Sequence, residues 1–285
     1  MSLTQYHLDP FRILSADERR AQQEGLLRQM MARDGEASVS GRRLAQRDGV
    51  LEEMRKPIHW LGPAPRQEEL VEHLSGRRPS QDPRILWLAA ATRGQLGEQA
   101  GIEPELDRFD RRQWAGADLG LTYMALEDHY HTLLFEQLLR CCGIEPTLDL
   151  PKPYGFWRWL MNYLPDSIRF APILVGETCG ATLMVVLAET VGVFREPELE
   201  ARLRWITEEI VTDEIGHVVY SRARVRPAQM RIARRLVRPA AKALVQGIPE
   251  AARLAGGPDQ LVARMVRGPR LTQAALAWLG HADGD

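Results

Sequence analysis

Cysteine is scarce in this 285-residue chain: there are three, and two of them are adjacent, Cys141 and Cys142. That excludes a disulfide framework and a CxxC metal knuckle. Strand signals are nearly absent. No run of alternating β-branched residues is bounded by hairpin turns, and no segment repeats at a fixed period, which excludes sandwiches, barrels and solenoids. No flavin or iron–sulfur motif is visible, so electrons for any redox chemistry must come from outside. The opening MSLTQYHLDP has no basic segment and no apolar stretch. A secretory leader is therefore not expected, and a reducing, cytoplasmic setting is.

What is present is ordinary soluble material. The chain is 45% hydrophobic and 26% charged, enough for a sizeable core and too apolar for wholesale disorder. One stretch, 171–193, is long and apolar enough to cross a bilayer. It also carries Glu177, Glu189, Pro172 and three glycines, so it reads as a buried helix of a soluble bundle. The net charge of −1 hides an asymmetry: from Ser221 onward there are 12 Lys and Arg against 4 Asp and Glu.

Helical punctuation is plentiful. Residues 16–34, 41–56 and 67–74 read as polar or amphipathic helices. Pro83 opens an apolar helix expected to fade at Gly101 and Pro104. A long helix follows over 115–142 and stops at Gly143. After a connection rich in proline and aromatics, the apolar helix begins near Pro165 or Pro172. A turn near Phe194–Pro197 leads to a helix running to Arg224. Pro227, Pro239, Pro249 and Pro258 are expected to separate two or three short helices in the tail. The expected fold is all-α: a bundle over 83–224, an N-terminal helical region over 1–82 packed on it, and a basic helical region over 225–285.

Two histidines have an acid three positions earlier: Asp128 with His131, and Glu214 with His217. On a helix such pairs share a face. Composition alone would produce roughly one such pair, so the context has to carry the argument. At about 100° per residue, Asp128 and His131 lie among Leu121, Met124, Phe135, Leu138 and Leu139. Glu214 and His217 lie among Leu203, Ile206 and Ile210. A carboxylate in an apolar stripe is costly unless something pairs it. Glu177 sits in the most apolar helix, and the midpoint of 177 and 214 falls in the turn between their helices. An antiparallel hairpin would bring the two level. Three carboxylates and two imidazoles at one level call for a cation, and oxygen with imidazole suits iron or manganese.

This pattern of Asp128, His131, Glu177, Glu214 and His217 over 85–222 resembles the ferritin-like di-iron or di-manganese carboxylate proteins. Among these it looks more like the p-aminobenzoate N-oxygenase-like enzymes. The resemblance implies a ferritin-like bundle, with 143–164 as the crossover between its second and third helices. It also implies two iron ions, or manganese, and a first-helix carboxylate, for which Glu98 is the candidate. Asp128 stands where the family usually has Glu. Glu127, Tyr123 and Asp213 are candidates for an outer layer around the ligands, and Glu127 is also an alternative ligand. Thr178, Thr182 and Thr207 are pocket candidates.

The implied activity is that of an O2-activating oxidase or oxygenase. It would act on a small organic substrate, free or carrier-tethered, with Asp128, Glu177 and Glu214 at the reacting centre and an external electron donor. A ferroxidase or iron-handling protein, a peroxide-consuming enzyme, and a non-catalytic all-α binding module are the alternatives. In the tail, Arg231, Arg234 and Arg235 lie among apolar residues. They are candidates for docking an acidic carrier protein or an anionic membrane, against the plain alternative of a solvated face. Specific nucleic-acid binding is not expected, because no recognition motif accompanies the charge. A homodimer is left open.

Overall fold

The computed structural model describes residues 3–34, 48–110, 119–145, 164 and 166–272. Among these residues the fold is all-α apart from one small ribbon. The helices are α1 (Ala16–Asp34), α2 (Asp48–Met54), α3 (Gln67–Leu74), α4 (Pro83–Asp110), α5 (Leu119–Cys141), α6 (Asp166–Thr190), α7 (Pro197–Arg224), α8 (Pro227–Gly247), α9 (Pro249–Leu254) and α10 (Pro258–Arg267). A single 3-10 turn, Val191–Val193, links α6 to α7.

Local chemistry sets several of these boundaries. Ser15 and Glu18 form a reciprocal capping box at the start of α1. Gly143, at φ +71°, ends α5. Ile144 N–H reaches back to the Leu139 carbonyl at 3.0 Å, satisfying a backbone acceptor the helix end would otherwise leave open. α7 has Pro197 in its first turn, with Glu198 and Glu200 there and Arg222 and Arg224 in its last, matching the helix dipole at both ends.

α4, α5, α7 and α6 pack in a ring, each touching its two neighbours in that order. α5 and α6 are consecutive in sequence but are not principal neighbours. Most of the connection between them, 146–163 and 165, lies outside the described residues. Trp87 of α4 donates to the Leu187 carbonyl of α6 at 2.9 Å, and its ring meets Phe194 edge-on at 5.4 Å. α8, α9 and α10 cover the outer side of α6. This explains the long apolar run: 83% of the membrane-like window within Ile168–Val193 is buried inside the protein. A helix wrapped on all sides needs no polar face.

Both flanks pack on the bundle. α1 lies on α7 and α5, and Gln23 donates to the Ala223 carbonyl at 2.7 Å. Arg222 reaches the Asp9 carbonyl at 3.0 Å and Gln22 at 3.1 Å.

Three expectations fail here. α4 runs on through Gly101 and Pro104 to Asp110, since an interior proline removes one hydrogen bond without having to end a helix. α8 likewise continues through Pro239, because its buried row of Val237, Ala240, Ala241 and Val245 keeps packing beyond it. The termini also pair: Leu3–His7 and Arg270–Thr272 form an antiparallel ribbon, β1 and β2. Three residues of β2 are too few to leave an alternating signal. Of the helix expected over 41–56, Asp48–Met54 is helical and 55–56 are not, while 41–47 lie outside the described residues.

Candidate metal centre

α5, α6 and α7 bring the five expected ligands together. His131 Nδ1 lies 3.3 Å from Glu214 Oε1 and 3.8 Å from Asp128 Oδ1. His217 Nδ1 lies 3.3 Å from Asp128 Oδ1, 3.5 Å from Glu177 Oε2 and 4.0 Å from Glu214 Oε1. The imidazoles are nearly stacked, with centroids 5.8 Å apart and planes at 30°. The groups form two overlapping triads, Asp128–His131–Glu214 and Glu177–Glu214–His217, each with ligand atoms within 4.8 Å of one another. Glu214 belongs to both.

Each imidazole is held from behind by the opposite helix. His131 Nε2 lies 3.0 Å from Asp213 Oδ2 on α7, and His217 Nε2 lies 2.8 Å from Glu127 Oε2 on α5. An ionised carboxylate can only accept, so each Nε2 carries the proton and donates it. That leaves Nδ1 facing the carboxylate cluster, where it can take a metal or a second proton. The arrangement is reciprocal: acid-acid-x-x-His on both helices, the first acid supporting the partner helix's histidine and the second facing inward. Glu127 thus faces His217 from behind and lies outside the two triads. Asp213 stands in the same relation to His131. Tyr123 is buried.

The electrostatics reflect an unbalanced charge. Burial pushes the Asp128 carboxyl up to about 7, with Glu177 and Glu214 adding repulsion against the attraction of His217 and His131. Burial raises Glu177 as well, opposed by His217. Burial alone would lower His217, but the facing Asp128, Glu177 and Glu214 carboxylates outweigh it and raise the imidazole to about 10. His217 Nδ1 is buried and faces three carboxylate oxygens at 3.3–4.0 Å. A proton at that position does what a cation would do.

Asp128 and Glu177 keep 20% and 15% of their side chains exposed, and His131 and His217 none, so the cluster is approached from its carboxylate side. Gly180 stands there in place of a side chain: a Cβ would lie 3.4 Å from Glu214 Oε2. The hydroxyls of Thr178, Thr182 and Thr207 bond to carbonyls four residues back in their own helices, at 2.6, 2.8 and 2.9 Å. Their donors are thus spent within the helix. Glu98 lies in α4 with at least two helical turns after it, but its side chain is outside the described residues.

Elsewhere, His73 is a buried packing residue. Its Nδ1 accepts from Ser80 N–H at 2.9 Å and its Nε2 faces Glu250 at 3.0 Å, with Arg93 on the same carboxylate. The three cysteines are buried, and burial pushes Cys141 up to about 11 and Cys179 to about 12, which leaves them as packing groups.

The basic segment divides. Arg222 is committed to Asp9 and Gln22, Arg224 sits over the Phe170 ring at 4.7 Å, and Arg234 donates twice to the Phe11 carbonyl, at 3.1 and 2.7 Å. Arg234 is therefore a tether for the N-terminal segment and not part of a free docking row with Arg231 and Arg235.

Comparisons with protein-family models, with curated proteins and with solved structures find no match for this chain.

Proposed function

We propose that this chain is a non-haem di-iron protein of the ferritin-like carboxylate type, acting as an O2-dependent oxidase or oxygenase on a small organic substrate. The observation that carries this reading is the reciprocal support of His131 by Asp213 and of His217 by Glu127. Histidines fixed at Nε2 by a carboxylate, with Nδ1 turned to a shared acid, are what metal ligation requires, because the outer acid sets the tautomer and raises ligand basicity. A pair of core histidines satisfied for packing alone needs one acid each. Here five carboxylates surround two imidazoles.

The residues present fit two divalent ions. Asp128, His131 and Glu214 would hold one, Glu177, Glu214 and His217 the other, and Glu214 would bridge them. Oxygen and imidazole donors suit iron or manganese. Bound iron would supply the electrons for reducing dioxygen. The protein's part is positional. Asp213 and Glu127 hold the imidazoles, the apolar walls of α5, α6 and α7 exclude water, and the exposed edges of Asp128 and Glu177 leave an open side for substrate. Electrons for repeated turnover come from an external donor.

The test is anaerobic loading with Fe(II) followed by admission of O2 while oxygen uptake is recorded. Uptake that increases with added reductant and a small organic substrate, with iron fixed near two per chain, supports the proposal. Iron that accumulates far beyond two per chain makes the protein an iron-handling one, and turnover of peroxide without substrate makes it a peroxidase.

A further inference from the structure

α8, which packs on α6, carries a second feature. Arg231, Arg235, Arg238 and Lys242 are all exposed and follow a 4-3-4 spacing, which places them in one row along the helix. Successive cations are about 4.5–6 Å apart along the axis and the row is about 16 Å long. α8 contains no Asp or Glu. Among the described residues no carboxylate pairs with any of the four, whereas the neighbouring Arg234 is held by Phe11. Four adjacent cations without a counter-ion on their own helix repel one another, a cost that a solvated face has no reason to concentrate in one line.

We infer that this row docks a protein partner through an acidic helix, whose carboxylates at the same 4-3-4 spacing meet the four cations. The shape of the surface selects that occupant. The apolar side of α8 (Met230, Ala233, Val237, Ala241 and Val245) is buried in the protein, and Ile232, 40% exposed, is the one large hydrophobic exposed on this helix. A membrane-binding amphipathic helix needs that apolar side free to insert. A narrow charged row beside one apolar residue suits a rod of opposite charge. The partner would sit one helix layer from Glu177, since α8 packs directly on α6. The inference stands whether or not the cluster holds iron.

The probe is a fluorescein-labelled synthetic helix carrying four glutamates at 4-3-4 spacing, followed by fluorescence anisotropy with the full chain. Binding should weaken steeply between ~0.05 and ~0.3 M salt, as the screening length shortens. The variant R231E/R235E/R238E/K242E should bind about tenfold more weakly or worse, with an unchanged helical circular dichroism spectrum. If that variant fails to fold, R231Q/R235Q should show a smaller loss in the same direction. A peptide with the four glutamates spread around the helix should bind less well. Equal binding of the two peptides, undiminished binding by a folded variant, or no binding by the wild type overturns the inference. So does sedimentation of the protein with phosphatidylserine vesicles in the absence of peptide binding, which would assign the row to a membrane.

Discussion

Glu127 on α5 accepts the Nε2 proton of His217 on α7 at 2.8 Å, while Asp213 on α7 faces His131 on α5 at 3.0 Å. Each helix thus supplies the support for the other's ligand. The two motifs work as a unit, and neither histidine is properly held without the opposite helix. The outer acids are therefore testable separately from the inner ones.

Glu127→Gln and Asp213→Asn keep volume and a possible hydrogen bond but remove the charge. Each should lower metal affinity about 10–100-fold with the fold intact, the usual cost of losing an outer support. Isothermal titration with Fe(II) or Mn(II) measures this. Affinity unchanged in both would leave the two acids as packing groups.

Glu214 and Glu177 should differ in count. Glu214 belongs to both triads, so Glu214→Ala should lose both ions, whereas Glu177→Ala should retain about one per chain. Elemental analysis after iron reconstitution decides it. A full complement in Glu177→Ala would remove α6 from the site.

The metal-free protein should lose stability steadily as pH rises. Asp128, raised from its ordinary 3.8 to about 7, keeps its proton in the folded state while the unfolded chain has lost it, so stability falls between those values. His217, raised from 6.5 to about 10, binds a proton more tightly when folded. Its contribution is whole below about 6.5 and disappears as pH climbs through 10. Added Fe(II) or Mn(II) displaces those protons, so metal should stabilise most at the alkaline end. Thermal melts across pH, with and without metal, provide the check. Metal-free stability that rises between pH 4 and 7 would contradict this account of Asp128.

Gly120→Ala should destabilise by about 1–3 kcal/mol, the cost of overpacking, because a Cβ there would overlap the Tyr220 ring. Tyr220 lies one turn beyond His217, so metal content should fall as well. A melt within error of wild type would show that Tyr220 moves aside freely.

Much of the centre was legible in the sequence because helices turn spacing into geometry. The i, i+3 pairs, the midpoint of 177 and 214, and Pro197 each fix a position without reference to the rest of the fold. What escaped depended on partners distant in the chain. The crossed supports could be named as candidates, but not which histidine each would hold, since Glu127 is closer in sequence to His131 and yet bonds His217. Arg234 read as free charge because nothing local shows that the Phe11 carbonyl waits for it. Pro104 and Pro239 read as breaks because local propensity cannot weigh the packing that carries a helix past them. The ribbon of Leu3–His7 with Arg270–Thr272 joins the two ends of the chain and leaves no local pattern.

The most direct measurement is the iron bound per chain after anaerobic reconstitution, in the wild type and in the double variant H131A/H217A. The account predicts about two per chain in the wild type and close to none in a folded H131A/H217A protein. A wild type that holds no iron or manganese, or a double variant that keeps its full complement, would contradict it.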